Sequence, residues 1–252
     1  MTTQVKPPFK FEKNCLSGKT ILVTGAGDGI GKQASLSFAE QGATVILVGR
    51  TTAKLEATYD EIVKLGYPQP AIVPMDFKGA EESHYQGLAE TIEAQFCKLD
   101  GLLHNASLLG VLGPFEHIGL DQFDEVMQVN VRAQFMLTKA LLPALRKANS
   151  SSIVFTSSGV GKQGRAYWGS YAISKFATEG MMQTLADELS STHIRVNSIN
   201  PGATRTKMRA SAFPAEDPAT LKTAQDLMPL YLYLMSDDAV DVNGQAIDAQ
   251  PK

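Results

Sequence analysis

The chain has 252 residues, 44% hydrophobic and 19% charged, enough for one large α/β domain with a continuous core. Its 23 basic and 26 acidic side chains leave a net charge of −3, which argues against a surface built to attract nucleic acid or anionic lipid. Cys15 and Cys97 stand far apart, no signal-like apolar stretch opens the chain, and no run approaches the ~18–20 apolar residues of a membrane span, so a soluble protein of the reducing cytoplasm is expected.

Residues 1–16 are polar, carry Pro7 and Pro8, and read as an N-terminal arm, with a single domain over 17–252. Thr20 to Thr24 is a short β-branched run ending in Gly25-Ala26-Gly27-Asp28-Gly29-Ile30-Gly31, and helical spacing follows from Lys32 to Gln41. In a strand, glycine turn and helix of this kind, glycines permit positive φ and close approach, and the free N–H groups at the helix start face a pyrophosphate. The strict GxGxxG spacing fails at Ile30; the pattern present is TGxxxGxG, from Thr24, Gly25, Gly29 and Gly31, with Gly27 additional. A glycine turn without a ligand is the alternative. Thr44 to Val48 is a continuous apolar strand, as in a parallel sheet covered on both faces, and it ends in Gly49-Arg50. An arginine at this point can meet the 2′-phosphate of NADP, so Arg50 favours NADP(H) over NAD(H); otherwise it is a solvated residue opening the helix over 52–65.

Ala71 to Met75 reads as the third strand, with Asp76-Phe77 at its end, residues 82–96 as a helix, and Leu99 to His104 as the fourth strand, running into Asn105-Ala106-Ser107. His104 has no second histidine at ligand spacing, so no metal site is expected. The helical pattern from Leu120 to Arg146 places polar Asn130 in its buried stripe, where an amide must be hydrogen-bonded and a structural role is reasonable. After the strand-like run Ser152 to Ser157 comes Ser158, and thirteen positions later Tyr171 and Lys175 stand one helical turn apart on one face. An ammonium beside a phenol favours phenolate and can lower a tyrosine pKa by roughly 1–3 units, which makes Tyr171 a candidate general acid/base, with the Ser158 hydroxyl meeting it at a substrate oxygen. The same spacing also occurs on ordinary solvated helices. Arg195 to Ile199 reads as the sixth strand, Asn200-Pro201-Gly202 as the turn at the carboxyl edge, 206–222 as a lid over substrate or a surface insertion, 224–235 as the last helix and 245–249 as the last strand. Seven β-rich segments alternating with helices predict an α/β, single-domain, Rossmann-like, doubly wound parallel sheet of seven strands with helices on both faces. No GxSxG elbow follows a strand and Cys and His do not cluster, which removes the hydrolase and zinc readings.

Ser158, Tyr171-Ala172-Ile173-Ser174-Lys175 and the run from Val196 to Gly202 together resemble the active-site half of a short-chain dehydrogenase/reductase. The likeness extends from about Gly18 to about Ala249, and within that superfamily the chain is similar to the bacterial YciK-type oxidoreductases. The resemblance implies hydride transfer between a nicotinamide and a small carbonyl or alcohol substrate. Tyr171 exchanges the proton, Ser158 bonds the substrate oxygen, Lys175 lowers the Tyr171 pKa and holds the nicotinamide ribose, and Asn130 positions a water relay. It further implies cofactor contacts from Asp28 and Ile30 in the glycine turn, Asp76 and Phe77 at the adenine, Asn105 and Ala106 at the ribose, and Pro201, Gly202, Thr204 and Thr206 at the nicotinamide. Alone, Asp76 reads equally as a helix cap. A homodimer or homotetramer is implied, built on the two long helices and on the last helix and strand. The chain departs from the family at His104 and Ser107, at Asp28, where NADP-using relatives carry a basic residue, and at Asp248-Ala249-Gln250-Pro251. The rival reading is a dinucleotide-binding sensor or scaffold with little turnover.

Overall fold

Alternation within the apolar strands decides the layers. In β1 (Thr20–Thr24) Ile21 and Val23 point to one face and Leu22 to the other, and in β2 (Thr44–Gly49) Val45 and Leu47 oppose Ile46 and Val48. Because both faces are covered, both sets are apolar. The computed structural model of the chain describes residues 8–251. Its other strands are β3 (Ala71–Pro74), β4 (Gly101–His104), β5 (Ser151–Thr156), β6 (Ile194–Asn200) and β7 (Ala246–Asp248), and the sheet is parallel in the order β3-β2-β1-β4-β5-β6-β7. One face packs on α1 (Gly29–Glu40), α2 (Thr52–Lys64) and α8 (Ala224–Met235). The other packs on α3 (Glu82–Phe96), α5 (Ala133–Arg146) and α6 (Gly169–Glu188), through Tyr85, Leu88, Leu137, Leu141 and Met182.

The seven-stranded, doubly wound Rossmann-like architecture expected from the sequence is thus the one observed. One local expectation changes and two segments gain detail. The pattern from Leu120 to Arg146 is not one α-helix: α4 (Leu120–Met127) and α5 are joined by a π-helical stretch, Gln128–Arg132. Asn130 lies in that stretch and is fully buried, its amide turned to the backbone of Leu108 rather than to the helix's own ladder. The segment 206–222 holds α7 (Lys207–Ala212) and a 3₁₀ turn, Pro218–Thr220, and is tied at its base by the parallel bridge between Thr204 and Lys222. Of the arm read over residues 1–16, residues 1–7 lie outside the described residues; the remainder packs Phe9 and Phe11 against the core and buries Leu16.

Strand order reverses between β1 and β4, and there the two carboxyl ends part. The parting is set by close contacts. Thr24 Oγ1 accepts the N–H groups of Asn105 at 2.9 Å and Ala106 at 3.0 Å, and a Cβ on Gly31 would stand 2.2 Å from the Gly25 carbonyl oxygen. Gly31→Ala therefore forces backbone to move. It should lower stability by about 1–3 kcal/mol, read as a fall in urea midpoint; an unchanged midpoint would show that the turn yields without strain.

Candidate active site

The glycine turn leaves β1 with Gly25 at φ 69° and enters α1 through Asp28, whose side chain caps the helix by accepting the Gly29 N–H at 2.9 Å. The first turn of α2 lies so close that a Cβ on Gly27 would meet Lys54 Cβ at 2.8 Å. Asp28, a charge of the wrong sign for a phosphate site, is occupied: Lys54 Nζ stands 2.7 Å and Lys207 Nζ 3.1 Å from its Oδ2. The Lys54 hydrogen bond above all holds the Asp28 carboxyl below the usual carboxylate range. Neither lysine was singled out from the sequence. Their contribution comes from α2 and α7 converging on the turn, and linear spacing carries no signal of that. Arg50 lies exposed at the end of β2, on the same side of the sheet edge.

At the other end of the edge, Ser158 caps a 3₁₀ turn, Gly159–Gly161, and α6 carries Tyr171 and Lys175 one turn apart and buried. The Lys175 ammonium donates to the Thr156 carbonyl at 2.8 Å and lies 5.5 Å from the centre of the Tyr171 ring. Burial pushes the Tyr171 phenol up to about 12, opposed by the Ser158 and Ser107 hydroxyls, while the Lys175 ammonium is directed at a backbone carbonyl. Ser107 Oγ faces the phenol but completes no hydrogen bond of its own. Read in the sequence as a departure, Ser107 is a hydroxyl beside Tyr171. Burial likewise pushes the Lys175 ammonium down to about 8, with the charge of Glu179 opposing.

Asn130 Oδ1 accepts the Leu108 N–H at 2.7 Å, while its Nδ2 donates to the Leu108 carbonyl at 2.8 Å and to Ser174 Oγ at 3.0 Å. It thereby ties the loop after β4 to the helix that bears Tyr171. The turn at Pro201-Gly202 is braced from the chain's end, where Gln250 Nε2 donates to the carbonyls of Pro201 at 2.8 Å and Ala203 at 2.9 Å. Thr206 caps α7 by accepting the Arg209 N–H at 3.1 Å. Asp76 accepts the Lys78 N–H at 3.1 Å, and Phe77 is stacked on Tyr85. His104 is fully buried, bonded to Thr138 at 2.8 Å, stacked on Phe155, and driven down to about 3 by burial, a neutral core residue.

Of the residues singled out from the sequence, all but Thr24, Gly31 and Asn130 line one continuous cleft of about 1010 Å³ along the carboxyl edge of the sheet. Those three lie behind its wall and shape it. Among the described residues, no group of three or more His, Cys, Asp or Glu side chains is placed to hold a metal ion.

A parallel, doubly wound sheet with a glycine turn at its switch point and a Tyr/Lys helix on the same cleft defines a dinucleotide-dependent oxidoreductase. The chain belongs to the short chain dehydrogenase family, whose model matches residues 19–217. It is 53% identical over 243 residues to the uncharacterized oxidoreductase YciK of Escherichia coli K12, covering 96% of each chain. It is 31% identical to the 3-oxoacyl-[acyl-carrier-protein] reductase FabG of Thermotoga maritima, covering 92% of this chain and 96% of that one. Among solved structures, a relative from Escherichia coli CFT073 complexed with NADPH superposes with a TM-score of 0.93 at 53% identity, covering 95% of this chain and all of the other. The protein is an NAD(P)-dependent oxidoreductase of the short-chain dehydrogenase/reductase type.

A lysine whose pKa falls on folding weakens the folded state while it stays charged. The full penalty applies below about pH 8, fades between 8 and 10.5, and is absent above. Lys175→Met removes the titration, so wild type should gain on the variant by roughly 3 kcal/mol across that window in paired denaturation curves. A difference that stays flat with pH would show the ammonium to be solvated.

Proposed function

We propose that the protein is an NADP(H)-preferring carbonyl reductase in which Tyr171 is the proton donor, Ser158 the hydrogen-bond partner of the substrate oxygen, Lys175 the anchor of the nicotinamide ribose, and Asn130 the residue that fixes the relay geometry. The observation that carries this reading is the arrival of the Tyr171 and Ser158 hydroxyls on the wall of the cleft that also receives the glycine turn. When bound, the cofactor supplies the hydride. The turn suits its pyrophosphate, since Gly25 and Gly27, whose Cβ atoms would press on Asn105 and Lys54, keep its backbone bare on the cleft wall, and Asp76, Phe77, Asn105 and Ala106 would line the adenosine side and Pro201, Gly202, Thr204 and Thr206 the nicotinamide side.

The chain's own contribution is proton management and orientation. A phenol near 12 stays protonated through neutral pH and still out-donates an alcohol, which suits delivery of a proton to an oxygen gaining negative charge. Ser158 shares that oxygen and fixes its direction. The preference for NADP(H) is supported by Arg50, which has no anionic partner among the described residues, by the two lysines that mask Asp28, and by the relative solved with NADPH. Residues 206–222 serve as the substrate lid. Phe135, Ile173 and Phe176, exposed on α5 and α6, supply an apolar face for self-association as a homodimer or homotetramer, and two unpaired cysteines accord with a cytoplasmic protein.

Tyr171→Phe removes only the transferable proton, so NADPH-dependent carbonyl reduction should fall by at least ~100-fold with NADPH affinity nearly unchanged. Retained turnover would count decisively against the assignment. Arg50→Asp should weaken NADPH binding by roughly 10–100-fold and leave NADH nearly unaffected. An unchanged ratio of the two dissociation constants would remove Arg50 from the selection.

A further inference from the structure

The substrate half of the cleft has an electrostatic character opposite to that of the whole chain. The molecule carries a net charge of −3, yet beyond the glycine turn the cleft wall presents, besides the buried Lys175, the cations Arg165, Lys207 and Arg209 and no acidic side chain. Two of these cations are already engaged. Arg209 is held bidentately by Glu216, with Nε and Nη2 each 2.6 Å from a carboxylate oxygen, and Lys207 is paired with Asp28. Arg165 has no carboxylate within ion-pair distance among the described residues; its only recorded side-chain contact is with the Phe213 ring, 5.8 Å from guanidinium carbon to centroid.

Its position is fixed. Tyr167, two residues on, takes a left-handed φ of 71°, a conformation uncommon outside glycine, and its carbonyl accepts the Gly113 N–H at 3.0 Å, while the Trp168 N–H donates to the Arg165 carbonyl at 3.2 Å. The turn so formed places an apolar wall beside the reacting groups: Trp168, which lines the cleft, packs against Tyr171 at 5.8 Å between centroids, and Phe213, its ring covered by the Arg209 guanidinium at 3.8 Å, backs Trp168 at 5.8 Å. Arg165 stands at the outer end of that wall.

We infer that Arg165 is the anion-recognising residue of the substrate site, and that the physiological substrate is a ketone or aldehyde carrying a carboxylate or phosphate at the far end of an apolar spacer. The inference rests on the reading of this cleft as the carbonyl site. The spacer lies along Trp168 and Met208 on the cleft wall, and the anion meets a guanidinium that no protein carboxylate competes for. Neutral carbonyl compounds lie along the same wall and leave Arg165 unpaired.

The test uses the full chain with saturating NADP⁺, a series of oxo-carboxylic acids of increasing chain length, and their methyl esters. Trp168 is the only tryptophan and lies on that wall, so its fluorescence reads binding independently of turnover. At the best chain length the acid should bind about 10-fold or more tightly than its ester, Arg165→Gln should bring the two together, and Arg165→Lys should keep part of the preference. Because Arg165 is exposed, both variants should keep the wild-type melting temperature. An acid that binds no better than its ester at any length, or a preference that survives Arg165→Gln, overturns the assignment. NADPH oxidation measured alongside separates the two readings. Acid-selective binding without hydride transfer contradicts the proposed reaction and leaves the anion subsite standing, whereas turnover of acids and esters alike upholds the reaction and removes the subsite.

Discussion

The functional half of this molecule depends on how closely two backbones approach at the switch point of the sheet. The start of α1 passes the Gly25 carbonyl at a distance that excludes even a methyl group on Gly31, and the Thr24 hydroxyl takes two N–H groups from the chain leaving β4. These contacts fix the glycine turn against the Asn105 loop. With every strand parallel, the remaining carboxyl ends must open on the same side, so Arg50, Asp76, Ser158 and Pro201 reach one edge without a separate device for each. A fold of this kind places loops in a row and leaves their chemistry to individual side chains.

Those side chains are held by a buried polar layer beneath the cleft. Lys175 is bonded to the Thr156 carbonyl, Asn130 joins the Leu108 backbone to Ser174, and Ser198 donates to the Glu179 carboxylate one turn beyond Lys175. Glu179 is the acidic group that offsets the desolvation of Lys175. A buried cation is tolerable where such partners exist and costly where they do not, so the position of Lys175 is bound to α6 and β5 as units. The π-helical stretch belongs to the same layer: it interrupts the ladder where Asn130 must turn outward to meet a neighbouring loop.

Much of this was legible in the sequence. Continuous apolar strands between amphipathic helices announced a covered parallel sheet, and Gly25, Gly29, Tyr171 and Lys175 declared themselves because turn geometry and helical period act over a few residues. What could not be read depends on direction and burial. Four-residue spacing puts Lys175 beside Tyr171 but does not say that its ammonium reaches Thr156, nor that burial pushes the phenol up. Asn130 was recognisable as a buried amide, whereas the break it marks in the helix was hidden because the apolar spacing resumes in helical register on both sides of it. The masking of Asp28 by Lys54 and Lys207 joins residues 26 and 179 positions apart, a contact that only the folded chain creates.

That last contact also bears on how a substrate enters. α7 has six residues, none buried, and crosses the cleft mouth above the glycine turn. One of its ties to the cofactor side is the pair between Lys207 and Asp28, in which the lysine is largely solvated. Exposed pairs of this kind contribute at most about 1 kcal/mol, so the tie opens without a large cost. The bidentate pair between Arg209 and Glu216 closes within the segment itself, seven residues apart, and preserves its shape without holding it down. The proposed lid role is supported by this internal bracing, and Phe213 on Trp168 and Met208 on the Tyr171 cluster are the contacts that would have to part if the segment moved. Were α7 to lift in that proposed role, Lys207 would leave Asp28 and Lys54 alone would continue to mask it, so the charge of the glycine turn would be compensated in either position.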